Sequence, residues 1–534
     1  MEAGGALSSL PVPRSVPNPD SPIPQDPSPP GLVAALAPAA ALVYGLGHLT
    51  WYLGTPLGRV PVLDERENLD LAEAIAGGIL QPVPFYRAPG YALSLACFRW
   101  LGVPEAGLFA AALLFGVALH AAGAWFAARL ARRWFGPGAG VAAGLLYALN
   151  PVLVHFATQA LDATLSLTLF MAGLDFLACA AQAPGRARGW LAASTAWAAA
   201  ALARPNFLLA WLSLPVLALL QPVAARTRRV LLSAALAGTV LLAAAAAWQW
   251  RVSGVAGFMP WQGAYNLWAA NRPGANGRYY TQHVSLPPEL ARANPARAES
   301  ILLYEEETHG APAEIPSMNA HWRARFVEEV FTHPLRWSGL TARKAYALFN
   351  NFEQYNNKTY AFHKALSPWL RWNPLCWGLL LALGAAGAAL LAAERPADAR
   401  MLGVVSVACT ASILLFFVSA RFRLSLVGIL TALAGGAVAR PGFWRGWPAG
   451  PRAALAAVVL AALSVAFSRF DGMADTATFV QDHVLLARAA FTVGDDATAL
   501  AESNEALRLQ PWHPDAQAIA RAAAAEIAGK GATR

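Results

Sequence analysis

Along its length the chain alternates unbroken apolar runs of about 20 residues with short polar breaks that carry arginine. A run of that length crosses a ~30 Å hydrocarbon core as a helix. Inside lipid only helices and closed barrels satisfy their own backbone, and runs rich in Ala and Leu without alternation select helices. About eleven spanning segments are expected, near 31–52, 106–128, 138–158, 163–182, 189–203, 206–222, 230–250, 373–392, 401–418, 424–439 and 453–468. The pair 189–203 and 206–222 is short and is split by Arg204-Pro205. The pattern therefore predicts an all-α polytopic membrane protein.

The polar breaks orient it. With the N-terminus in the cytoplasm, the inside loops carry Arg129, Arg132 and Arg133, then Arg186 and Arg188, then Arg226, Arg228 and Arg229. Later inside loops carry Arg395 and Arg400, then Arg440, Arg445 and Arg452, so each short inside loop is basic. The expected location is a bacterial inner (plasma) membrane, with the C-terminus periplasmic. Composition agrees: of 534 residues, 57% are hydrophobic and 13% charged, against about 25% charged in soluble domains. The net charge of +9 sits in these loops as an orientation signal and implies no nucleic-acid partner. Cys97, Cys179, Cys376 and Cys409 lie in apolar stretches without metal-ligand spacing.

This topology divides the chain. Residues 1–30 are a Pro-rich, disordered tail. Residues 31–250 form a first membrane module with the outer loop 53–105, 251–372 a large outer loop, and 373–468 the last spans. The tail 470–534 places Ala487, Gly494, Ala499, Ala506 and Pro511 at the small-residue and proline positions of one tetratricopeptide-like unit. A single such unit cannot bury its own face, so it must pack on the outer loop or on a protein partner.

Candidate chemistry gathers on the outer side. Asp64 opens a short amphipathic helix that runs through Leu71, Ala72 and Ile75 to Gly77-Gly78. Asp64 with Glu67 also reads as a capping box, and one carboxylate can serve both roles. Arg87, in an aromatic and Pro-rich re-entry, either holds a phosphate or snorkels at the interface. Asp162 starts a span and reads as a helix cap or as a second acidic group. Arg204 and the pair Arg421 and Arg423 break the charge bias of the outer connections, which makes them candidates for binding an anion. His283, His309, His321, His333 and His363 show no i, i+4 pairing, so a divalent metal finds no support.

Taken in order, these segments resemble the GT-C superfamily, in the branch similar to bacterial protein O-mannosyltransferases that often carry tetratricopeptide units. The resemblance rests on Leu63-Asp64-Glu65 with Ala72 to Gly78, Phe85-Tyr86-Arg87-Ala88-Pro89, Arg132 to Gly136, Leu149-Asn150-Pro151, Asp162 and Ala203-Arg204-Pro205-Asn206. It continues through Tyr265-Asn266-Leu267, Asn276 to Tyr279, Trp322 to Pro334, Trp337, Arg343-Lys344 and Ser419 to Arg423, over about residues 55–440. It implies a GT-C-like bundle and an inverting hexosyltransferase that moves a sugar from a polyprenyl phosphate to a hydroxyl on a protein, glycan or lipid. In that likeness Asp64 and Glu65 are the catalytic carboxylates, with Asp64 as the base. Arg87, Arg204, Lys344, Arg421 and Arg423 are the set available to the donor phosphate. Two other classes compete: a transporter or flippase of lipid-linked saccharides, and a non-catalytic scaffold that displays the tail.

Overall fold

The computed structural model describes residues 30–183, 186–220, 225–287, 294–470 and 478–532. The expected Pro-rich tail lies almost wholly outside the described residues. Those described fold into helices, with no strand among them.

In chain order, α1 (Pro30–Leu53) leads into α2 (Pro56–Arg59), α3 (Asp64–Ala76) and α4 (Pro89–Trp100). The long α5 (Glu105–Phe135) follows, and then α6 (Pro137–Ala148) and α7 (Pro151–Ala157), which meet at 56°. The first module closes with α8 (Asp162–Gln182), α9 (Ala187–Ala203), a 3-10 turn at Pro205–Phe207, α10 (Leu208–Leu220) and α11 (Ala225–Ser253). The large loop folds as α12 (Gln262–Ala269), α13 (Pro295–Glu307), α14 (Ile315–Thr332), α15 (Pro334–Phe349) and α16 (Tyr360–Leu366). After it come α17 (Trp377–Glu394), α18 (Pro396–Leu415), α19 (Ala420–Ala439) and α20 (Ala449–Phe467). The tail is α21 (Thr478–Thr492), α22 (Asp496–Leu509) and α23 (Pro514–Ala532).

Each expected apolar segment coincides with helix. Among the described residues seven helices, α5, α8, α11 and α17 to α20, are long and apolar enough to cross a membrane, and the bent pair α6–α7 makes an eighth if it counts as one span. At 17 and 13 residues, α9 and α10 are short for a span. α1, at 24 residues, is long enough to span; among the described residues the count falls below eleven where α9 and α10 are short and where Pro151 bends α6–α7.

The bend has a local cause. Asn150 caps α7 by accepting from the Val152 and Leu153 amides at 3.0 and 3.3 Å, with Pro151 in the first turn. Carbonyls released at the break are met by side chains: Ala148 O by His120 Nε2 at 3.0 Å, and Leu149 O by Asn373 Nδ2 at 2.7 Å.

Between apolar helices in lipid, close packing of small residues replaces the hydrophobic drive. At Gly387 a methyl group would strike the Leu433 carbonyl, so α17 and α19 touch backbone to backbone. The most enclosed spans are α8 and α19, while α20 and α11 turn apolar side chains such as Leu460 and Leu236 outward. The buried charge of α8, Asp175, is met by Arg129 Nη2 at 2.9 Å and Arg133 Nε at 2.7 Å.

The tail lies against this body. Leu485, Leu486 and Ala489 of α21 share an apolar core with Tyr52, Leu57 and Leu69. Ala487, Ala499 and Ala506 are fully buried where the tail helices pack, and Gly494 turns the chain at φ 80.

Candidate active site

The site grows from the start of α3. Leu69, Ala72 and Ile75 bury one face of this helix. Two polar bonds then staple it to the turn before α8: Asn68 Nδ2 donates to Ala160 O at 3.0 Å, and the Ala160 amide donates to Glu65 Oε1 at 3.3 Å. That staple brings the beginning of α3 beside the beginning of α8, and so Asp64 beside Asp162. Leu63, just before Asp64, holds φ 50, a conformation that costs a non-glycine residue about 1–3 kcal/mol and is retained where the surroundings over-determine it.

Arg421, in the first turn of α19, bridges the two acids: its Nη1 lies 3.0 Å from Asp64 Oδ2 and 3.5 Å from Asp162 Oδ1. Arg87 Nη2 takes the other oxygen of Asp64, and its Nε pairs with Glu67. Arg204 Nη1 lies 3.4 Å from Asp162 Oδ2, with its guanidinium 4.4 Å over the Phe422 ring. Three carboxylates therefore interleave with three guanidiniums. Gly90 makes the approach possible: at the start of α4, a Cβ there would come within 2.7 Å of the Leu202 carbonyl carbon. Arg87 and Arg204 are thus carried by segments in backbone contact.

Electrostatics set the state of Asp64. Burial pushes its carboxyl upward, but Arg87 and Arg421 more than offset that and hold it well below the usual carboxylate range. Asn357 faces the same group, its Nδ2 short of a full hydrogen bond. Neither acid acts as a helix cap. The cap positions are Leu63 and Leu161, without side-chain bonds, and it is Glu65 that accepts from the Val62 amide, at 3.2 Å.

Several donors remain open. Arg204 Nε, Arg421 Nε and Asn206 Nδ2 are buried without a hydrogen-bond partner. All three side chains line one small cavity with Ser166, Ser412, Ser425 and Phe422. Buried donors left unpaired cost about 1–3 kcal/mol each, and here the side chains that carry them line one space.

The remaining sequence candidates point elsewhere. Glu65, 1% exposed, is 2.8 Å from Lys358 Nζ, which also donates to Tyr52 Oη at 2.6 Å. Arg423, also 1% exposed, donates to Leu348 O and Asn350 O at 3.1 and 2.6 Å, pairs with Glu353 and stacks on Trp377. Lys344 donates to Asn271 Oδ1 at 2.9 Å and Leu414 O at 3.1 Å, and burial pushes its ammonium down to about 7. Of the histidines, His283 meets Arg272 and His321 meets Glu307. Among the described residues no three His, Cys, Asp or Glu side chains converge as a metal site would require.

Asn206 enters the sequence reading only as the end of the Ala203-Arg204-Pro205-Asn206 stretch, and Asn357 and Lys358 do not enter it. The last two lie in the polar run Asn350 to Thr359, whose density of amide side chains beside a span was a usable signal.

No protein-family model matches the chain, and no curated protein matches it. Among solved structures it is similar to ArnT from Cupriavidus metallidurans, both bound to undecaprenyl phosphate and in the apo state. Identity is 17%, the match covers 74% of this chain and 77% or 76% of that one, and the TM-score is 0.30.

Proposed function

We propose that the protein is a membrane glycosyltransferase that moves a sugar from a polyprenyl phosphate to an acceptor hydroxyl at the outer face of the membrane. The observation that carries this reading is the set of unpaired donors on Arg204, Arg421 and Asn206, whose side chains line one cavity and of which Arg421 also pairs with an ionised Asp64. Guanidiniums suit a phosphate because they present several N–H groups in one plane. The apolar surroundings, Phe207 and Phe422 among them, suit a lipid-linked donor.

The chemistry is a single displacement. The acceptor oxygen bonds to the anomeric carbon as the bond to the phosphate oxygen breaks on the opposite face, so configuration inverts. The electron pair leaves with the polyprenyl phosphate, which the arginines stabilise. Asp64 accepts the acceptor's proton, with Asp162 as the second acid of the site.

Asp64 clamped by two guanidiniums is a weak base. A phosphate competing for Arg421 draws that charge away and raises the basicity of Asp64 as the donor arrives. In this reading the resting ion pairs keep the base disarmed until the leaving group is in place.

The test is sugar release from a synthetic polyprenyl-phosphate sugar by purified protein in nanodiscs, with Asp64→Asn as control. Release by the wild type and its loss in the variant is the expected result. Equal release by both removes Asp64 from the chemistry, and release by neither removes this donor class.

A further inference from the structure

We infer that Asp482, in the helical tail, is a positioning residue for the transfer reaction: it anchors the strap 350–359, which in turn sets Asp64 and Glu65. The inference rests on the glycosyltransferase reading for the reaction, and on the tail's own contacts for the anchoring.

Asp482 is fully buried, yet an apolar side chain would serve the docking of α21 better, since Leu485, Leu486 and Ala489 already supply that surface. Its Oδ1 accepts from the Thr359 amide at 2.9 Å and lies 3.3 Å from His363 Nε2. The Thr359 hydroxyl makes no hydrogen bond. The end of the strap is therefore held from the tail and not by its own cap.

The rest of the strap is pinned along the active site. Arg423 grips its start through Asn350 O and Phe352 O. Gln354 O accepts from the Ala420 amide at 3.1 Å, one residue before Arg421, and Asn356 Nδ2 reaches Ser419 Oγ at 3.5 Å. Lys358 pairs with Glu65. Between these fixed points Asn357 adopts φ 53 and faces Asp64. Asparagine is among the few non-glycine residues that visit this conformation, and here both of its flanks are tied. On the far flank the tie is Lys358 with Thr359, and Thr359 is tied by Asp482. Asp482 touches no reacting group, so its effect passes through the strap.

Asparagine keeps an oxygen for the Thr359 amide and alanine does not, which separates strap anchoring from mere burial. Full-length protein in nanodiscs is compared as wild type, Asp482→Ala and Asp482→Asn, by hydrogen exchange at the amides of 354–359 and by steady-state transfer from a synthetic polyprenyl-phosphate sugar. Asp482→Ala is expected to speed exchange in the strap and leave the spans protected. Its kcat is expected to fall about tenfold with the donor KM within twofold, and Asp482→Asn is expected to restore most of both. The inference is overturned by wild-type kcat in Asp482→Ala, or by a KM change that accounts for the loss. It is equally overturned if Asp482→Asn is as impaired as alanine, or if the alanine variant does not fold while asparagine folds and works, which marks a purely structural anchor. If wild-type protein releases no sugar, the glycosyltransferase reading fails on its own, and the exchange comparison still decides whether Asp482 holds the strap.

Discussion

Arg421 Nη1 and Asp64 Oδ2 lie 3.0 Å apart although 357 positions separate the two residues in the chain. Removing either partner is expected to act in opposite senses. Asp64→Asn leaves two guanidiniums with less carboxylate to satisfy them, so binding of inorganic or lipid-linked phosphate is expected to hold or tighten. Turnover is expected to fall by about a hundredfold or more, because the amide cannot take up the acceptor's proton. Isothermal titration beside the release assay reads both.

Arg421→Ala and Arg423→Ala are expected to fail differently. The first loses a charge-assisted contact to the donor, about 1.5–3 kcal/mol, or about ten- to a hundredfold in Kd, and gives up less stability than the second because Arg87 still meets Asp64 and Arg204 still meets Asp162. The second strips Glu353 of its buried partner and frees two strap carbonyls, at a cost of about 3–5 kcal/mol in stability. Thermal unfolding in detergent separates them: a lowered midpoint in Arg421→Ala with unchanged donor affinity would falsify the assignment.

Those two residues also show how far the sequence could be read. Both were flagged because they break the charge bias, yet two positions on an α-helix lie about 200° apart, so they cannot serve one cavity. Asp64 and Glu65, about 100° apart, divide in the same way, Asp64 toward Arg87 and Arg421 and Glu65 toward Lys358. The helical spans were legible because hydropathy is local. The strap, the Lys358–Glu65 pair and the seat of Lys344 were not, because their partners lie far off in the chain and leave no periodic mark.

Gly90→Ala is a test at a distance from the charges. The added methyl meets the backbone at Leu202, and overpacking of this kind costs about 1–3 kcal/mol. Because the same contact sets Arg87 beside Arg204, donor affinity is expected to fall more than stability explains. Gly446→Ala, where nothing crowds the added methyl, is expected to change neither.

Acid should loosen the fold through Asp64. Its carboxyl titrates below the unfolded value of about 3.9, so its ion pairs stabilise fully above that pH. The contribution is lost as pH falls from about 4 toward the lower folded value. Unfolding midpoints followed from pH 7 to pH 3 are expected to drop more steeply in wild type than in Asp64→Asn. Parallel slopes in the two proteins would exclude Asp64 as a contributor.

The bend between α6 and α7 bears on how the chain is made. The carbonyl of Leu149 waits for Asn373, 224 positions later, and Asp64 waits still longer for Arg421. During synthesis the early helices enter the bilayer with the Leu149 carbonyl unmatched and with Asp64 held by Arg87 alone, at a time when the residues that complete them do not yet exist. Nascent chains stopped before residue 373 should accordingly linger with insertion or quality-control factors and be degraded, and the half-made protein should gain stability in steps as each late partner emerges.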